Sequence, residues 1–243
     1  MSKMLPCLIL AGGLGTRLRS VLGDEMPKAL APINGEPFLC WMLKGLLQQG
    51  VTEVVLSLGY GSGRIKDLLR TRTFGMEISV VEEHEALGTG GAIVHAIRTY
   101  GSTDMIVMNG DTLSKLDLQQ LTAFYREMHP DLVLAATSMD DASRYGTLDF
   151  DAKSRQLSAF VEKRRGNGYI NAGTYVVNAR KLLGFDLPEK FSFEQAFLSE
   201  RVAELDIRVF PEVTEFIDIG VPDDYARAQT VIPLMLEAGI SEA

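Results

Sequence analysis

The feature that most limits the fold of this chain is the alternation of short apolar runs with longer segments of helical periodicity. The runs at Cys7–Leu10 and 54–58 are apolar at nearly every position. Strands that are apolar on both faces indicate a parallel sheet covered by helices on both sides. Between them, residues 38–49 carry apolar side chains at three- and four-residue spacing up to Gly50, which predicts a helix.

The same alternation continues to about residue 138 and then changes. It predicts strands at 77–81, 105–108 and 131–136, with helices at 63–70, 89–99 and 117–128. Beyond residue 138 the predicted strands are shorter, at 146–150, 157–161, 169–177, 207–210 and 215–219, with helices at 193–203 and 222–236. No internal repeat or low-complexity linker divides the chain, so we expect one α/β domain over 1–243 with a mixed second half.

Composition excludes several classes of protein. The 24 Lys and Arg residues face 32 Asp and Glu residues, a net charge of −8, whereas a protein that coats nucleic acid needs a basic excess. No apolar stretch reaches membrane-spanning length, no secretory-signal pattern precedes the first glycines, and two cysteines are too few for a disulfide framework. We therefore expect a cytoplasmic protein without nucleic-acid or membrane partners. A local anion site remains compatible with this charge.

The most informative segment is a glycine-rich loop directly after the first predicted strand, Leu10-Ala11-Gly12-Gly13-Leu14-Gly15-Thr16-Arg17-Leu18. A glycine-rich turn at a strand end lets backbone N–H groups approach phosphates. Its spacing matches neither the Rossmann fingerprint nor a Walker A loop. Basic residues follow at Arg17 and Lys28, and could neutralise a polyphosphate. The alternative is a tight turn with solvated basic side chains; the continuation through Pro27-Lys28, Pro32 and Gly35-Glu36-Pro37 favours the phosphate site.

This loop, followed by Pro27-Lys28 and Asn34-Gly35-Glu36-Pro37, resembles the signature of the sugar-1-phosphate nucleotidylyltransferases. These enzymes join a nucleoside triphosphate to a sugar 1-phosphate and release pyrophosphate. The resemblance implies a Rossmann-like three-layer sandwich with a mostly parallel mixed sheet, the nucleotide-diphospho-sugar transferase or GT-A-like fold. It implies a nucleotide-binding half at about 1–138 and a sugar-phosphate-binding half at about 139–243. It further implies catalytic roles for Arg17 and Lys28, and nucleotide contacts from Leu10, Ala11, Gly12, Gly13, Gly15 and Thr16.

Two aspartates at predicted strand ends are candidate metal ligands. Asp111 follows the strand at 105–108, and Asp218 lies in the otherwise apolar run 216–220. Polyphosphate chemistry needs a divalent cation, and Mg²⁺ prefers hard oxygen ligands. Alternatively, Asp111 caps a turn and Asp218 is a buried hydrogen-bond acceptor. The family pattern has an aspartate at both places, which implies that the pair holds Mg²⁺ and that Asp111 acts in catalysis. The sugar phosphate then attacks the α-phosphorus directly, without a protein nucleophile.

The acidic segment 82–92 is implied to lie beside the nucleobase, because it resembles the family's Leu-Gly-Thr-Gly-Gly-Ala segment. A carboxylate there could accept from the N1–H and the exocyclic amine of guanine. We choose Glu83 for this contact, although a solvated acidic loop is the alternative and favoured for its acidic neighbours. Gly88 and Thr89 are expected to contact the nucleotide, and Gly88 and Gly90 to let the planar base approach the backbone.

The sugar phosphate is implied to lie against a second set of residues. Glu162 is expected to accept sugar hydroxyls and Lys163 to meet the sugar phosphate; the alternative for this pair is a surface ion pair, which contributes little. Asn171 is expected to bind the ring, while Gly146 and Gly173 allow close approach. The implied sugar-phosphate contacts are Asn109, Tyr145, Gly146, Glu162, Lys163, Asn171 and Gly173.

Within the family, several segments are similar to the D-glycero-α-D-manno-heptose 1-phosphate guanylyltransferases, among them 16–21, 31–39, 189–194 and 216–225. Ser20-Val21-Leu22, where the commonest family pattern has Pro-x-Thr, is typical of this branch. The implied substrates are GTP and heptose 1-phosphate, and the product would feed capsule, lipopolysaccharide or surface-layer glycans. A uridylyltransferase acting on a sugar such as N-acetylmuramic acid 1-phosphate and a non-catalytic nucleotide-sugar sensor stay open. No β-helix extension is expected, and a homo-oligomer also stays open.

Overall fold

The structure, a computed structural model, describes residues 3–13, 15–23, 26–162 and 164–237. The strands are β1 (Cys7–Leu10), β2 (Pro32–Ile33), β3 (Glu36–Pro37), β4 (Glu53–Leu58), β5 (Glu77–Glu82), β6 (Met105–Asn109), β7 (Thr112–Lys115), β8 (Leu132–Met139), β9 (Gly146–Phe150), β10 (Leu157–Glu162), β11 (Gly168–Val177), β12 (Ile207–Phe210) and β13 (Glu215–Asp218). The α-helices are α1 (Arg19–Leu22), α2 (Phe38–Gln48), α3 (Ser62–Thr71), α4 (Gly88–Tyr100), α5 (Leu118–Met128), α6 (Ala179–Leu183), α7 (Ser199–Arg201) and α8 (Pro222–Glu237).

In the described residues, nine of these strands form one mixed sheet with the first apolar run, β1, near its middle. The order along the main path is β10-β9-β11-β6-β1-β4-β5, while β8 pairs with β11 and β12 pairs with β8. Strands β5, β4, β1, β6, β8, β12 and β9 run in one direction, and β11 and β10 run in the other. The predicted mostly parallel mixed sheet is therefore confirmed.

Helices cover both faces of this sheet and complete a three-layer sandwich. One face packs against α2, α3, α5 and α8 through buried residues such as Phe38, Ile65 and Ile232. The opposite face packs against α4, α6 and a π-helical turn at Phe193–Leu198. None of the helices in the described ranges combines the length and hydropathy needed to span a bilayer.

Local sequence signals explain why many elements begin and end where they do. Helix α2 begins after Pro37, buries its apolar stripe and ends shortly before Gly50, which adopts a φ of +78°. Helix α5 begins one residue later than predicted because Asp117 is its N-cap, with its side chain accepting hydrogen bonds from the N–H groups of Gln119 and Gln120.

The sequence prediction missed helix α6, and three further features differ from it. The helix expected at 193–203 is a π-helical turn followed by the short α7. Strand β7 was not predicted; it pairs with β13 and brings Asp218 opposite Thr112. The β2–β3 hairpin was also missed, since each strand has only two residues; its turn places Asn34 and Gly35 at positive φ. Both halves of the chain contribute to one sheet, because β11 lies between β6 and β9.

Candidate functional site

Three parallel strands end at one edge of the sheet and open a cleft there. Strands β4, β1 and β6 lie side by side, so the loops that follow them meet. Backbone hydrogen bonds join the start of each loop to the neighbouring strand: Ala11 N–H donates to the Ser57 carbonyl of β4, and Gly110 N–H donates to the Leu10 carbonyl of β1. The resulting cleft has a volume of about 300 Å³ and is lined by Leu10, Ala11, Gly12, Gly13, Lys28, Ala29, Glu83, Ala86, Gly88, Thr89, Ala92, Asn109, Gly110 and Asp111.

Lys28 places a buried ammonium group in the floor of this cleft. Lys28 begins the 3₁₀ turn Lys28–Leu30 and is only 8% exposed as a whole residue. Its Nζ lies 2.6 Å from Asp111 Oδ2 and 3.9 Å from Asp218 Oδ1. Gly15, at a φ of +59°, packs against the lysine stem, and a Cβ there would lie 3.2 Å from Lys28 Cβ. The glycine loop and both aspartates thus converge on one cation.

Asp218 is held in an environment that disfavours its charge. Burial is the main cause of the raised pKa of its carboxyl, and the nearby charge of Asp111 raises the pKa further. Lys28, the Gly220 N–H and Arg17 act in the opposite direction. The Gly220 N–H donates to Asp218 Oδ1 at 2.6 Å, and a Cβ at Gly220 would lie 2.7 Å from that same oxygen. Gly220 is therefore a supporting residue that sequence reasoning missed.

The two aspartates fit a divalent cation by their chemistry. Two carboxylates that repel each other beside one buried lysine are stabilised by added positive charge. Within the described ranges there is no group of three or more His, Cys, Asp and Glu side chains that could hold a metal. An ion here would take two protein ligands and fill its coordination with phosphate and water oxygens, which is the usual pattern for Mg²⁺.

Of the other residues predicted for the phosphates, Leu10, Ala11, Gly12 and Gly13 line the same cleft, whereas Arg17 does not. Arg17 lies on the 3₁₀ turn Thr16–Leu18 with an exposed side chain, close enough for its charge to lower the Asp218 pKa. The side chain of Thr16 lies outside the described part of the structure. Gly12 faces Glu83, and a Cβ at Gly12 would lie 2.7 Å from Glu83 Oε1.

Glu83 is the acidic residue of the segment 82–85 that lines the cleft. Glu82 pairs with Lys66 and Glu85 with Lys190, both near the surface. The Glu83 carboxylate accepts hydrogen bonds from Ser57 Oγ at 3.0 Å and from Leu87 N–H at 3.1 Å. Its orientation is therefore fixed by β4 and by the start of α4.

The glycines at the start of α4 serve packing that the sequence did not predict. A Cβ at Gly90 would lie 2.1 Å from the Phe191 ring, and one at Gly88 would lie 2.5 Å from the Phe191 carbonyl oxygen. The missing Cβ at both positions therefore makes room for Phe191, and the expected approach of a nucleobase to this backbone stays a prediction. Gly88 and Thr89 do line the cleft.

The predicted sugar-phosphate residues lie on strands that meet the cleft from the side of β11. Asn109 lines the cleft, and its buried Oδ1 finds no hydrogen-bond partner among the described residues. Gly173, at a φ of +69°, faces Asn109, and a Cβ there would lie 2.7 Å from Asn109 Nδ2. The Asn171 amide is held at both ends, since its Nδ2 donates to the Tyr175 hydroxyl and its Oδ1 accepts from Gly173 N–H.

Tyr145 and Gly146 lie at the start of β9. The Tyr145 ring packs edge-to-face on the ring of Phe216, with 5.6 Å between the ring centroids, and Phe216 lies on the strand that carries Asp218. A Cβ at Gly146 would lie 2.4 Å from the Phe160 ring, so this glycine accommodates a core side chain. Lys163 and the Glu162 side chain lie outside the described part of the chain, and their predicted roles stay predictions.

Comparison with known proteins gives consistent matches over nearly the whole chain. The family model described as nucleotidyl transferase matches residues 7–233. The D-glycero-α-D-manno-heptose 1-phosphate guanylyltransferase of Aneurinibacillus thermoaerophilus is 40% identical over 93% of this chain and 97% of its own length. The protein of that name from Campylobacter jejuni is 38% identical, with coverages of 91% and 97%. The crystal structure of HddC from Yersinia pseudotuberculosis superposes with a TM-score of 0.82 at 37% identity, over 93% of this chain and 98% of that one, and was also solved in complex with GMP-PN.

Proposed function

The chain belongs to the nucleotidyl transferase family, and from this premise we propose that it transfers a guanylyl group from GTP to D-glycero-α-D-manno-heptose 1-phosphate. The products are GDP-D-glycero-α-D-manno-heptose and pyrophosphate. The support for this choice of substrates is the similarity to two heptose 1-phosphate guanylyltransferases over nearly their full lengths. A protein with a similar structure was crystallised with GMP-PN.

The observation that carries the catalytic part of the proposal is the convergence of Lys28, Asp111 and Asp218 below a glycine-rich loop at the carboxyl ends of parallel strands. Nucleotide ligands bind at this edge of open α/β sheets. A buried cation between two carboxylates provides charges of both signs beside the predicted phosphate position. This combination suits phosphoryl transfer better than it suits structural support alone.

Enzymes of this family generally use a divalent metal ion. We infer that Asp111 and Asp218 hold Mg²⁺, which when bound supplies positive charge to the phosphates. The remaining catalytic work falls to the chain's own cations. In the structure the Lys28 ammonium group is paired with Asp111. On binding of GTP, Lys28 donates instead to phosphate oxygens, and Arg17 reaches them from the exposed side of the loop.

The reaction itself needs no protein nucleophile. An ionised oxygen of the sugar phosphate forms a bond to the α-phosphorus of GTP, while the bond from that phosphorus to the oxygen bridging to the β-phosphate breaks. Pyrophosphate leaves with the bonding electrons, so no proton transfer is required. Lys28 and Arg17 stabilise the negative charge that develops on the departing group, and the N–H groups of Gly12, Gly13 and Gly15 align the triphosphate.

Glu83 is the residue that we infer reads the base. Two of the roughly four acceptor positions of its carboxylate are used by Ser57 and Leu87 N–H, which leaves capacity for further donors. The N1–H and exocyclic amine of guanine form such a donor pair, whereas uracil and thymine lack it. Gly88 and Thr89 complete this wall of the cleft.

The sugar phosphate is proposed to lie between β6, β9 and β11. The buried Asn109 Oδ1 has no hydrogen-bond partner among the described residues, which is unfavourable, so it is suited to accept a hydrogen bond from a sugar hydroxyl. Tyr145, Gly146, Asn171 and Gly173 are proposed to complete the contacts with the sugar, and Glu162 and Lys163 are predicted to bind hydroxyls and phosphate respectively. We also infer a cytoplasmic enzyme whose product is used in bacterial surface glycans.

The proposal is tested by measuring pyrophosphate release in a matrix of substrates. GTP, UTP, CTP, ATP and dTTP are each combined with the 1-phosphates of the heptose, mannose, glucose and N-acetylmuramic acid. GTP with the heptose phosphate is expected to give the highest kcat/KM. A preference for UTP with N-acetylmuramic acid 1-phosphate would replace the proposed function, and a preference for mannose 1-phosphate would replace the proposed sugar. Absence of turnover with every pair would favour a nucleotide-sugar sensor.

A further inference from the structure

A segment outside the cleft fastens the start of α4 to the sheet. We call this segment, Glu189–Glu194, the strap. Phe191 N–H donates to the Leu87 carbonyl and Gly90 N–H donates to the Phe191 carbonyl, each at 3.0 Å. A Cβ at Gly91 would lie 2.2 Å from the Glu189 carbonyl oxygen. The strap therefore lies directly against the backbone of the cleft wall that contains Gly88 and Thr89, which we call the nucleotide wall.

Side chains reinforce this contact at its far end. Thr89 Oγ1 donates to Glu194 Oε2 at 2.9 Å and accepts a hydrogen bond from Phe193 N–H at 2.8 Å. Thr89 also lines the cleft. The orientation of this cleft residue is thus determined by the strap.

The other oxygen of Glu194 points to the side formed by Asn109, Asn171 and Gly173, which we call the sugar-phosphate wall. The Tyr175 hydroxyl donates to Glu194 Oε1 at 3.0 Å and accepts from Asn171 Nδ2 at 2.7 Å. Asn171 Oδ1 in turn accepts from the N–H of Gly173, which faces Asn109 in the cleft. Tyr175 is fully buried and packs edge-to-face on Phe193 of the strap. A continuous chain of hydrogen bonds therefore joins the two walls through one carboxylate.

The donor and acceptor roles in this chain are fixed. The Thr89 hydroxyl already accepts a hydrogen bond from Phe193 N–H, and the Tyr175 hydroxyl accepts one from the Asn171 amide. Each hydroxyl therefore uses its own hydrogen to donate to Glu194. A carboxylate offers acceptors on both sides. A glutamine has a single acceptor oxygen, so it can satisfy only one of the two hydroxyls.

We propose that the strap holds the nucleotide wall and the sugar-phosphate wall in fixed relative positions, with Glu194 and Tyr175 as the positioning residues. The proposal rests on the proposed function, because it assigns the two walls to the two substrates. Neither residue needs to touch a substrate: Glu194 acts through Thr89 on the nucleotide side, and Tyr175 acts through Asn171 on the sugar side.

The chain contains a matched control for a merely structural role. Tyr125 is also a buried tyrosine whose hydroxyl donates to a carboxylate, Asp104 Oδ2, at 2.7 Å. Neither Tyr125 nor Asp104 lines the cleft. Tyr175→Phe and Tyr125→Phe remove the same group from comparable surroundings, so both are expected to lower the melting temperature. Only Tyr175→Phe is expected to change substrate binding.

The experiment measures kcat and both KM values for the wild type and five variants. Tyr175→Phe is expected to raise the KM for the sugar 1-phosphate about tenfold and to leave the KM for GTP within about twofold. Thr89→Val is expected to raise the KM for GTP and to leave the KM for the sugar 1-phosphate nearly unchanged. Glu194→Leu removes both acceptor oxygens and is expected to raise both KM values. Glu194→Gln keeps one acceptor oxygen, so one of the two KM values is expected to stay near that of the wild type. Tyr125→Phe changes neither value, and kcat at saturation stays within about threefold of wild type for Tyr175→Phe.

Specific results would overturn the proposal. They are a Tyr175→Phe variant with an unchanged KM for the sugar phosphate, a Tyr125→Phe variant with the same kinetic defect, or a Glu194→Gln variant that restores neither value. If Glu194→Leu does not fold, Tyr175→Phe compared with Tyr125→Phe decides the matter. Failure of the proposed function is seen separately in the wild type: another preferred substrate pair overturns that function, and the strap is then tested with that pair. A wild type that is inactive with every pair overturns both.

Discussion

Replacing Lys28 with methionine tests the buried charge at the centre of the site, since methionine keeps an unbranched side chain but has no charge. Breaking a buried ion pair by removing one partner costs about 3–5 kcal/mol. Here the Asp111 side chain is 35% exposed, so we expect a smaller loss of about 2–3 kcal/mol in the free energy of unfolding. For a chain of this size 1 kcal/mol corresponds to about 2–4 °C, which predicts a fall in melting temperature of about 4–12 °C.

The assay is thermal unfolding of the wild type and of Lys28→Met. Each is measured with a chelator and with Mg²⁺, both at neutral pH and at a pH low enough to protonate Asp218. Without the lysine, Asp111 and Asp218 repel each other, and either a bound cation or protonation removes that repulsion. The raised pKa of Asp218 means that protonation begins at a higher pH than is usual for an aspartate. The difference between wild type and variant should therefore shrink in Mg²⁺ and shrink as the pH falls. Turnover of Lys28→Met is expected to drop by about 10²–10³.

Lys115→Met is the matched control. Lys115 Nζ lies 3.1 Å from Glu215 Oε1, and Glu215 is on β13, the strand that also carries Asp218. Both side chains of this pair are about two-fifths exposed. An exposed pair contributes less than about 1 kcal/mol, so this variant should melt close to wild type and keep its activity. The reasoning is refuted if the two variants lose equal stability, or if the Lys28→Met defect is the same with and without Mg²⁺ and at both pH values.

Three further predictions follow from the same geometry. With chelator present, Asp218→Asn should melt above wild type at neutral pH and at the wild-type temperature below the ordinary pKa range of aspartate. The reason is that the raised carboxyl pKa of Asp218 makes the wild type lose folding stability as the pH rises through that pKa. The turnover of Asp218→Asn with Mg²⁺ should be abolished. Arg17→Ala should lower kcat about 10²–10³ without changing the melting temperature, since the side chain is exposed, and a variant with wild-type kcat would remove the role given to Arg17. Gly90→Ala should cost about 1–3 kcal/mol by overpacking against Phe191, whereas Gly63→Ala, where a Cβ meets nothing within 4 Å, should melt at or above the wild-type temperature.

Elements governed by local physics were predicted from the sequence nearly to the residue. Strands β1, β9 and β12 have the predicted bounds, and α2 ends one residue before the predicted end. Apolar periodicity, N-caps and glycine stops act within a few residues, so they can be read from a window of that size. The two-residue strands of the β2–β3 hairpin and the strand β7 lack such a signal, because their formation depends on partners elsewhere in the fold.

For the site, the sequence by itself determined which residue types stand at which strand ends: a glycine loop after β1, an aspartate after β6 and another at the end of β13. Only the tertiary structure decided that Lys28 Nζ meets Asp111 across 83 positions of sequence. It also decided that Glu83 faces the cleft while its acidic neighbours pair at the surface. The absence of a Cβ at Gly90 makes room for Phe191, which lies about a hundred residues further along the chain. Local patterns specify the elements, but the neighbours that give a charge or a glycine its use come from distant parts of the chain and are fixed only when the layers pack.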